Sequence, residues 1–323
     1  MGELKKRQHY VWRQYLRAWA DNDQIWSFIK EQNKVIHPNL MGVAQEKYFY
    51  ELVDFTEEEE AFLTRLLDHM SHDSVKGLNE DFLKMFTSHY KLTKQASNTI
   101  LNEAQRIFIE SEIRKLEVNM MEDSHTKMEL SGAKLLAVIN SKDYKFLENQ
   151  DDFYETMLFL CFQYFRTKKM KNKIAKSFAE FEGFSKFWNI ISHVMATTMA
   201  HHFSFSPHIS FTFYENNQSR TFLTCDQPIF NILSDHLNND GNTDQLELYY
   251  PLSPKLALLI CFDPKPHNWI RNQSIDEQEL DRLNQKVMSY GEEFIFAANK
   301  EDLEFYLQQQ NRWSKFPASS LPQ

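Results

Sequence analysis

The hydrophobic period of this chain changes twice, and the two changes constrain its fold more than any other feature. Up to about residue 55 the sequence reads as short extended pieces. Gln24–Ile29 and Lys34–His37 flank Glu31-Gln32-Asn33, whose composition predicts a hairpin turn. Pro38 and Gly42 interrupt the pattern before Glu46–Tyr50 supplies another extended piece. At Thr56 the period becomes helical. Thr56 followed by Glu57, Glu58 and Glu59 is a capping box with acids in the first turn, where the helix dipole favours them. Phe62, Leu63, Leu66, Leu67 and Met70 then share one helical face. Further helices are predicted near residues 79–90, 97–120, 130–146, 150–170 and 184–202. In the second of these Ile100, Leu101, Ala104, Ile107, Phe108 and Leu116 recur at helical spacing.

From His208 the period returns to two. Ile209, Phe211 and Phe213 alternate with Ser210, Thr212 and Tyr214, and Asn216-Asn217 offers a turn from which Thr221–Thr224 would return antiparallel. Leu246–Tyr250 and Leu256–Phe262 read as two more strands around Pro251-Leu252-Ser253-Pro254. A helix from about Asp276 to Tyr290 follows, with Ser274 as its expected cap, then a strand at Phe294–Phe296 and a last helix near 300–310. Strands at both ends with helices between predict an α+β protein. Its sheet would be built from N- and C-terminal strands and covered by a central helical block. The expected organisation is a single domain over 1–323: N-terminal strands to 55, the helical block over 56–205, and C-terminal strands and helices over 206–315.

Composition narrows the class. Only 7 Gly and 9 Pro among 323 residues, with 25% charged, argue against disorder and loop-rich all-β folds. The apolar runs Met157–Phe162 and Leu256–Phe262 are far shorter than the roughly 20 residues that span a bilayer, so no membrane association is expected. No apolar segment follows the basic N-terminal residues in the manner of a signal peptide. Cys161, Cys225 and Cys261 are isolated, which suits a reducing cytoplasm and excludes a cysteine zinc site. GxGxxG, GxxxxGK[ST] and GxSxG patterns are missing, which removes the usual dinucleotide, P-loop and hydrolase readings. His193, His201 and His202 have helical spacing without the acid of an HExxH site, so neither metal nor cofactor is expected.

Charge and chemistry concentrate in a few places. A net charge of −9 argues against a general DNA-coating protein. Yet Lys5, Lys6, Arg7, Arg13 and Arg17 face the single acid Glu3 in the first 20 residues, and residues 166–176 hold Arg166 and five lysines without an acid. Such islands fit a phosphate-bearing ligand, RNA or nucleotide, as well as ordinary solvated surface. The stretch Lys6–Leu16, with a histidine, two tyrosines, a tryptophan and two arginines, is the densest polar-aromatic segment. His9 titrates nearest neutrality and suits proton transfer, with Glu46 and Asp226 as partner carboxylates. Gln163 and Arg166, at i, i+3, would project together as a phosphate clamp. We therefore take His9, Glu46 and Asp226 as candidate catalytic residues, and Tyr10, Arg13, Gln163, Arg166 and Gln227 as candidate substrate contacts. The expectation is that the paired termini gather His9, Glu46, Arg166 and Asp226 at one edge. The structural alternative has His9 in a buried network and Arg166 paired with Glu46 or Asp226.

Several of these segments resemble the DUF4238 family. Gln8-His9-Tyr10-Val11 with Tyr15-Leu16 is similar to the family's opening, although Trp12 stands where proline is usual. Glu46, Phe49 and Tyr50 resemble its Glu-x-x-Phe-Tyr element, and Gln163, Arg166 and Thr167 its Gln-x-x-Arg-Thr element. Thr224–Ile229 resembles its Thr-Ser-Asp-Asn-Pro-Val turn with Cys225 and Gln227 as departures. Tyr250–Lys255 follows its Pro-Leu-Ser-Pro segment, and Asn284 fits the polar position of the next helix. The family has no settled reaction. The resemblance implies a role in bacterial anti-phage defence, either as an effector or as a non-enzymatic sensor of a phage component, and says nothing of oligomeric state.

Overall fold

The computed structural model describes residues 4–178, 184–234, 245–262 and 269–313; Glu3 lies outside them. In chain order the N-terminal elements are β1 (Arg7–His9), α1 (Arg13–Leu16), β2 (Trp26–Ile29), β3 (Lys34–Ile36) and β4 (Gln45–Lys47). The helical block comprises α2 (Glu57–Met70), α3 (Asp73–Ser97), α4 (Glu103–Ser131), α5 (Ala133–Ser141), α6 (Gln150–Phe165), α7 (Lys168–Ser177) and α8 (Trp188–Ser204). Then come β5 (Ile209–Glu215), β6 (Thr224–Cys225), β7 (Phe230–Asn231), β8 (Glu247–Ser253), β9 (Leu256–Phe262) and β10 (Ile270–Ser274). α9 (Glu277–Tyr290), β11 (Phe294–Ala297) and α10 (Lys300–Trp313) complete the set. The class is α+β, as the two period changes require. The chain forms two compact units, one from Met1–Tyr10 with Gln45–Ser206, the other from Val11–Ala44 with Pro207–Gln323.

In the first unit α6 and α8 form the centre. Phe159, Leu160, Ile190 and Val194 are at most 2% exposed, and both helices are apolar on most sides, as fully enclosed helices are. The predicted capping box is present: Thr56 Oγ1 accepts from the Glu59 amide at 3.1 Å, and the Glu59 carboxylate accepts from the Thr56 amide at 2.8 Å. The segment predicted as one helix over 150–170 is two, because Arg166 closes α6 and Thr167 caps α7 through the Met170 amide. β1 and β4 pair only with each other, antiparallel, with Gln8 opposite Glu46. The extended piece predicted to run to Tyr50 therefore stops at Lys47 and gives way to a turn.

The helices α3 and α4 depart from expectation in another way. Their regular spacing is real, but from Lys91 to Ser111 no residue is buried. Ile100 is fully exposed, and Ile107 and Phe108 are 58% and 53% exposed. Amphipathic spacing predicted the helix from residue 103 on, whereas Ile100 and Leu101 lie in the turn between α3 and α4; the apolar face there covers no core.

The second unit holds two sheets. One has the order β3-β2-β11-β6 and does join N-terminal strands to C-terminal ones. The β2–β3 hairpin is as predicted, with Asn33 at positive φ in its turn. The other has the order β10-β5-β9-β8-β7, with β10 parallel to β5. Thr221–Thr224 does not return along β5, as its turn composition had suggested; β9 and β10 flank β5, and β6 pairs with β11. The cap of α9 is Asp276, which accepts from the Glu279 amide at 2.8 Å, and not Ser274, whose residue closes β10. α1, unforeseen in a segment read as strands, turns Tyr15 and Leu16 into the core.

Candidate functional site

A polar interior region of the first unit is organised by Arg166. This residue is 3% exposed and ends α6. Its Nη1 donates to Glu129 Oε1 at 2.7 Å, its Nη2 to the His9 carbonyl at 2.5 Å, and its Nε to the Tyr50 hydroxyl at 3.1 Å. Gln8 ties the same corner together: its amide nitrogen donates to the Val118 carbonyl at 2.7 Å and its side-chain oxygen accepts from the Tyr50 amide at 2.6 Å. The polar-aromatic N-terminal segment is thus a set of hydrogen-bonding hooks that fasten β1 to α4 and α6. Tyr10 is buried beside Phe49, ring centroids 5.3 Å apart.

Three further polar groups, Glu122, His125 and His193, surround this centre. Glu122, His125 and Glu129 share one stripe of α4, continuous with buried Val118 and Met121, and His193 comes from α8. The His125 ring stands edge-on to Tyr50 at 4.3 Å between centroids. Phe162 contacts both the His125 and the His193 ring. Burial holds His193 down at about 3, and burial with the Arg166 charge holds His125 well below the usual histidine range, so both are neutral at pH 7. Among the described residues Glu122 Oε2, His125 Nδ1, Gln163 Nε2 and His193 Nδ1 are buried without a hydrogen-bond partner. Orphaned polar atoms of this kind are rare in folded proteins, and these four belong to a larger set in the first unit that also includes Trp188 Nε1 and Thr198 Oγ1.

Burial pushes the Glu122 carboxyl up to about 7, against the pull of Arg166 and with further upward pressure from Glu129. Between its ordinary value and pH 7 the folded state therefore carries a proton that the unfolded chain has released. Its contribution is fully present at acid pH and falls away as pH rises toward 7. Glu122→Gln, neutral at every pH, should match the wild type near pH 4.5. It should exceed the wild type at pH 7.5 by on the order of 2 kcal/mol, measured by urea denaturation at both pH values. A gap that does not widen with pH would refute the assignment.

The remaining predicted residues are distributed differently. Glu46, on β4, is exposed and ion-paired with Lys168 at 2.9 Å. Arg166 therefore pairs with Glu129, not with Glu46 or Asp226, in correction of the alternative drawn from sequence. His9 and Glu46 lie on the β1–β4 ribbon, not in the sheet that the chain ends share. Arg13, on α1 of the second unit, is exposed and directs Nη1 at the Met41 sulfur. Asp226 and Gln227 also belong to the second unit. Asp226 is 2% exposed; its two oxygens accept from the Glu292, Glu293 and Phe294 amides at 2.7, 2.7 and 3.2 Å. Burial raises its carboxyl to about 6 while those amides oppose the rise, so it is ionised at neutral pH. Gln227 donates to the Ile229 carbonyl at 2.6 Å.

One surface gathers charge that the sequence disperses. Lys6 and Arg7 lead into β1, and the Lys6 carbonyl accepts from the Tyr48 amide at 3.0 Å just beyond β4. Lys168, bonded to Glu46, opens α7, whose Lys169, Lys171, Lys173 and Lys176 follow without an acid. Lys171 lies 5.0 Å from the centroid of the Phe49 ring. The two basic islands thus adjoin across the ribbon, although Arg13 and Arg17 belong to the other unit.

An α+β chain whose N-terminal Gln-His-Tyr hooks onto a buried helical arginine is the class that fold and site define. The family model described as "Protein of unknown function (DUF4238)" matches residues 7–301. The chain belongs to that family. No match is found among curated proteins or among solved structures. Among the described residues no helix is long and apolar enough to cross a membrane, and no group of three or more His, Cys, Asp or Glu is placed to hold a metal ion.

Proposed function

We propose that this protein is an anti-phage defence effector of the cytoplasm that acts on a phosphate-containing substrate, RNA or nucleotide. The observation that carries the reading is the junction of two basic segments, 6–7 and 168–176, across the β1–β4 ribbon; Lys5 pairs instead with Asp123 at 2.6 Å. Phosphate affinity comes from clustered cations, and α7 presents its lysines around a helix anchored by Met170 and Ile174. His9 lies on the ribbon strand beside this surface, half-buried, and is the candidate proton-transfer group of this region. The network beneath, Arg166 with Glu129 and Tyr50, fixes the ribbon's position.

Lys173→Glu/Lys176→Glu is expected to weaken binding of a single-stranded RNA oligonucleotide, or of ATP, about tenfold. For RNA it should also lower the salt dependence by roughly two ionic contacts. His9→Ala should bind as the wild type does and lose protection in cells challenged with phage. Wild-type protein that binds neither ligand, or undiminished protection by both variants, overturns the reading.

A second reading, recognition of a phage component without catalysis, is favoured by one observation. The donors of Arg166 and the oxygens of Asp226 are engaged by internal partners, so neither is available to developing charge. Recovery of a stoichiometric phage component with host RNA intact would decide for it.

A further inference from the structure

The pairing of the β1–β4 ribbon sets two cations directly against each other. Arg7 lies opposite Lys47, with Gln8 opposite Glu46 and His9 opposite Gln45. Residues directly opposite in an antiparallel pair share a face and stand about 5 Å apart at Cβ, where like charges repel. A two-stranded ribbon is marginally stable at best, so the repulsion falls on an element with little stability in reserve. An acid at either position would have formed a cross-strand ion pair. Glu46, the neighbour of Lys47, belongs to the other face and pairs with Lys168.

Strand alternation sorts the ribbon by chemistry. One face holds Gln8, fully buried and tied to the Val118 carbonyl and the Tyr50 amide. The other carries Arg7 and Lys47, both exposed, with His9 and Gln45, both half-buried. No acid is among these four. His9 lies two residues from Arg7, about 7 Å along the strand. The backbone that carries this face is fixed from below: Arg166 Nη2 donates to the His9 carbonyl at 2.5 Å, and the Tyr48 amide donates to the Lys6 carbonyl at 3.0 Å. Tyr48, just past β4, holds φ at 58°, a left-handed conformation uncommon for a bulky residue and of a kind that gathers at functional sites.

A pair of like charges held face to face on an exposed ribbon is relieved by an anion seated between them. A phosphodiester fits, since the Arg7 guanidinium can take two of its oxygens while the Lys47 ammonium acts as a point charge. A strand that continues along the ribbon then runs toward His9, which an isolated phosphate does not.

We propose that the face bearing Arg7, Lys47 and His9 binds single-stranded RNA, with one phosphodiester held between the Arg7 and Lys47 side chains. The inference rests on the phosphate reading above and adds to it a contact face distinct from α7.

Thermal unfolding and fluorescence anisotropy with a labelled single-stranded oligouridylate test it together. Lys47→Glu turns the repulsion into a cross-strand ion pair. It should raise the melting temperature by about 1–3 °C and weaken oligouridylate binding at least ~10-fold. Lys47→Arg, which keeps the cation, should bind within about twofold of the wild type. Lys145→Glu makes the same change of charge at an exposed position elsewhere on the first unit, and should leave binding unaltered. Full affinity in Lys47→Glu, alongside weakened binding by Lys173→Glu/Lys176→Glu, overturns this assignment and leaves the phosphate reading standing. An equal loss in Lys145→Glu and Lys47→Glu overturns it as well. Wild-type protein that binds no oligouridylate overturns both.

Discussion

Arg166→Ala should be the most damaging single substitution in the first unit, lowering folding stability by about 3–5 kcal/mol. The arginine is 3% exposed and supplies the charged member of a junction that Gln8 also ties, joining Glu129 on α4, Tyr50 after β4, and the His9 carbonyl on β1. Removing it leaves the Glu129 carboxylate, itself 15% exposed, without its counter-charge, and strips two acceptors, the His9 carbonyl and the Tyr50 hydroxyl oxygen, of their donors. For a chain of this size the loss corresponds to a fall in melting temperature of roughly 6–15 °C by calorimetry or thermal circular dichroism. Arg166→Lys should recover little, because an ammonium cannot span three acceptors in the fixed geometry of a guanidinium. The paired variant Arg166→Met/Glu129→Met should melt above Arg166→Ala, since the cost lies chiefly in the stranded charge. A melting temperature for Arg166→Ala within 2 °C of the wild type would mean that the network carries no weight.

Much of the secondary structure was legible because it is written locally. Thr56 with Glu59 announces α2 through a reciprocal pair of hydrogen bonds between neighbours in sequence, and Asn33 announces the β2–β3 turn. What escaped was written in side chains remote from the backbone they serve. β6 has two residues and follows no hairpin rule. It is held because Tyr15 bonds Thr224 at 2.6 Å, Trp19 donates to the Phe222 carbonyl at 2.8 Å, and Asn284 and Asp302 satisfy the Leu223 and Thr221 amides. The motif segments Tyr15-Leu16 and Thr224–Ile229 and the residue Asn284 are therefore parts of one scaffold in the second unit. The site shows the same division. Gln163 and Arg166 do project from one stretch of α6, as their spacing required. Glu122, His125 and Glu129 carry no such signal, because a polar stripe at helical spacing reads as a solvated face. Only the neighbouring burial of Val118 and Met121 reveals that this stripe turns inward.

Asp226→Ala should be the corresponding lesion in the second unit, at about 3 kcal/mol. The carboxylate closes the loop that precedes β11 by accepting from three successive amides, Glu292, Glu293 and Phe294. Its own amide donates to the Phe294 carbonyl at 3.2 Å. Alanine would leave three part-buried donors unmatched, at a cost of roughly 1 kcal/mol or more each. Asp226→Asn should not rescue, because its side-chain nitrogen would face amide donors where an acceptor is needed. Hydrogen exchange at pH 7.5, where the carboxyl is ionised, separates this role from chemistry. Faster exchange confined to residues 292–297, with a lowered melting temperature, is the outcome of a scaffold carboxylate. Protection against phage lost with both measurements unchanged would instead make Asp226 a reacting group. His9→Ala provides the contrast: its side chain lies outside the three bonds that Arg166 makes, one of which is to the His9 carbonyl and persists in alanine. A variant that keeps its fold and loses its effect is therefore expected at position 9 and not at position 226.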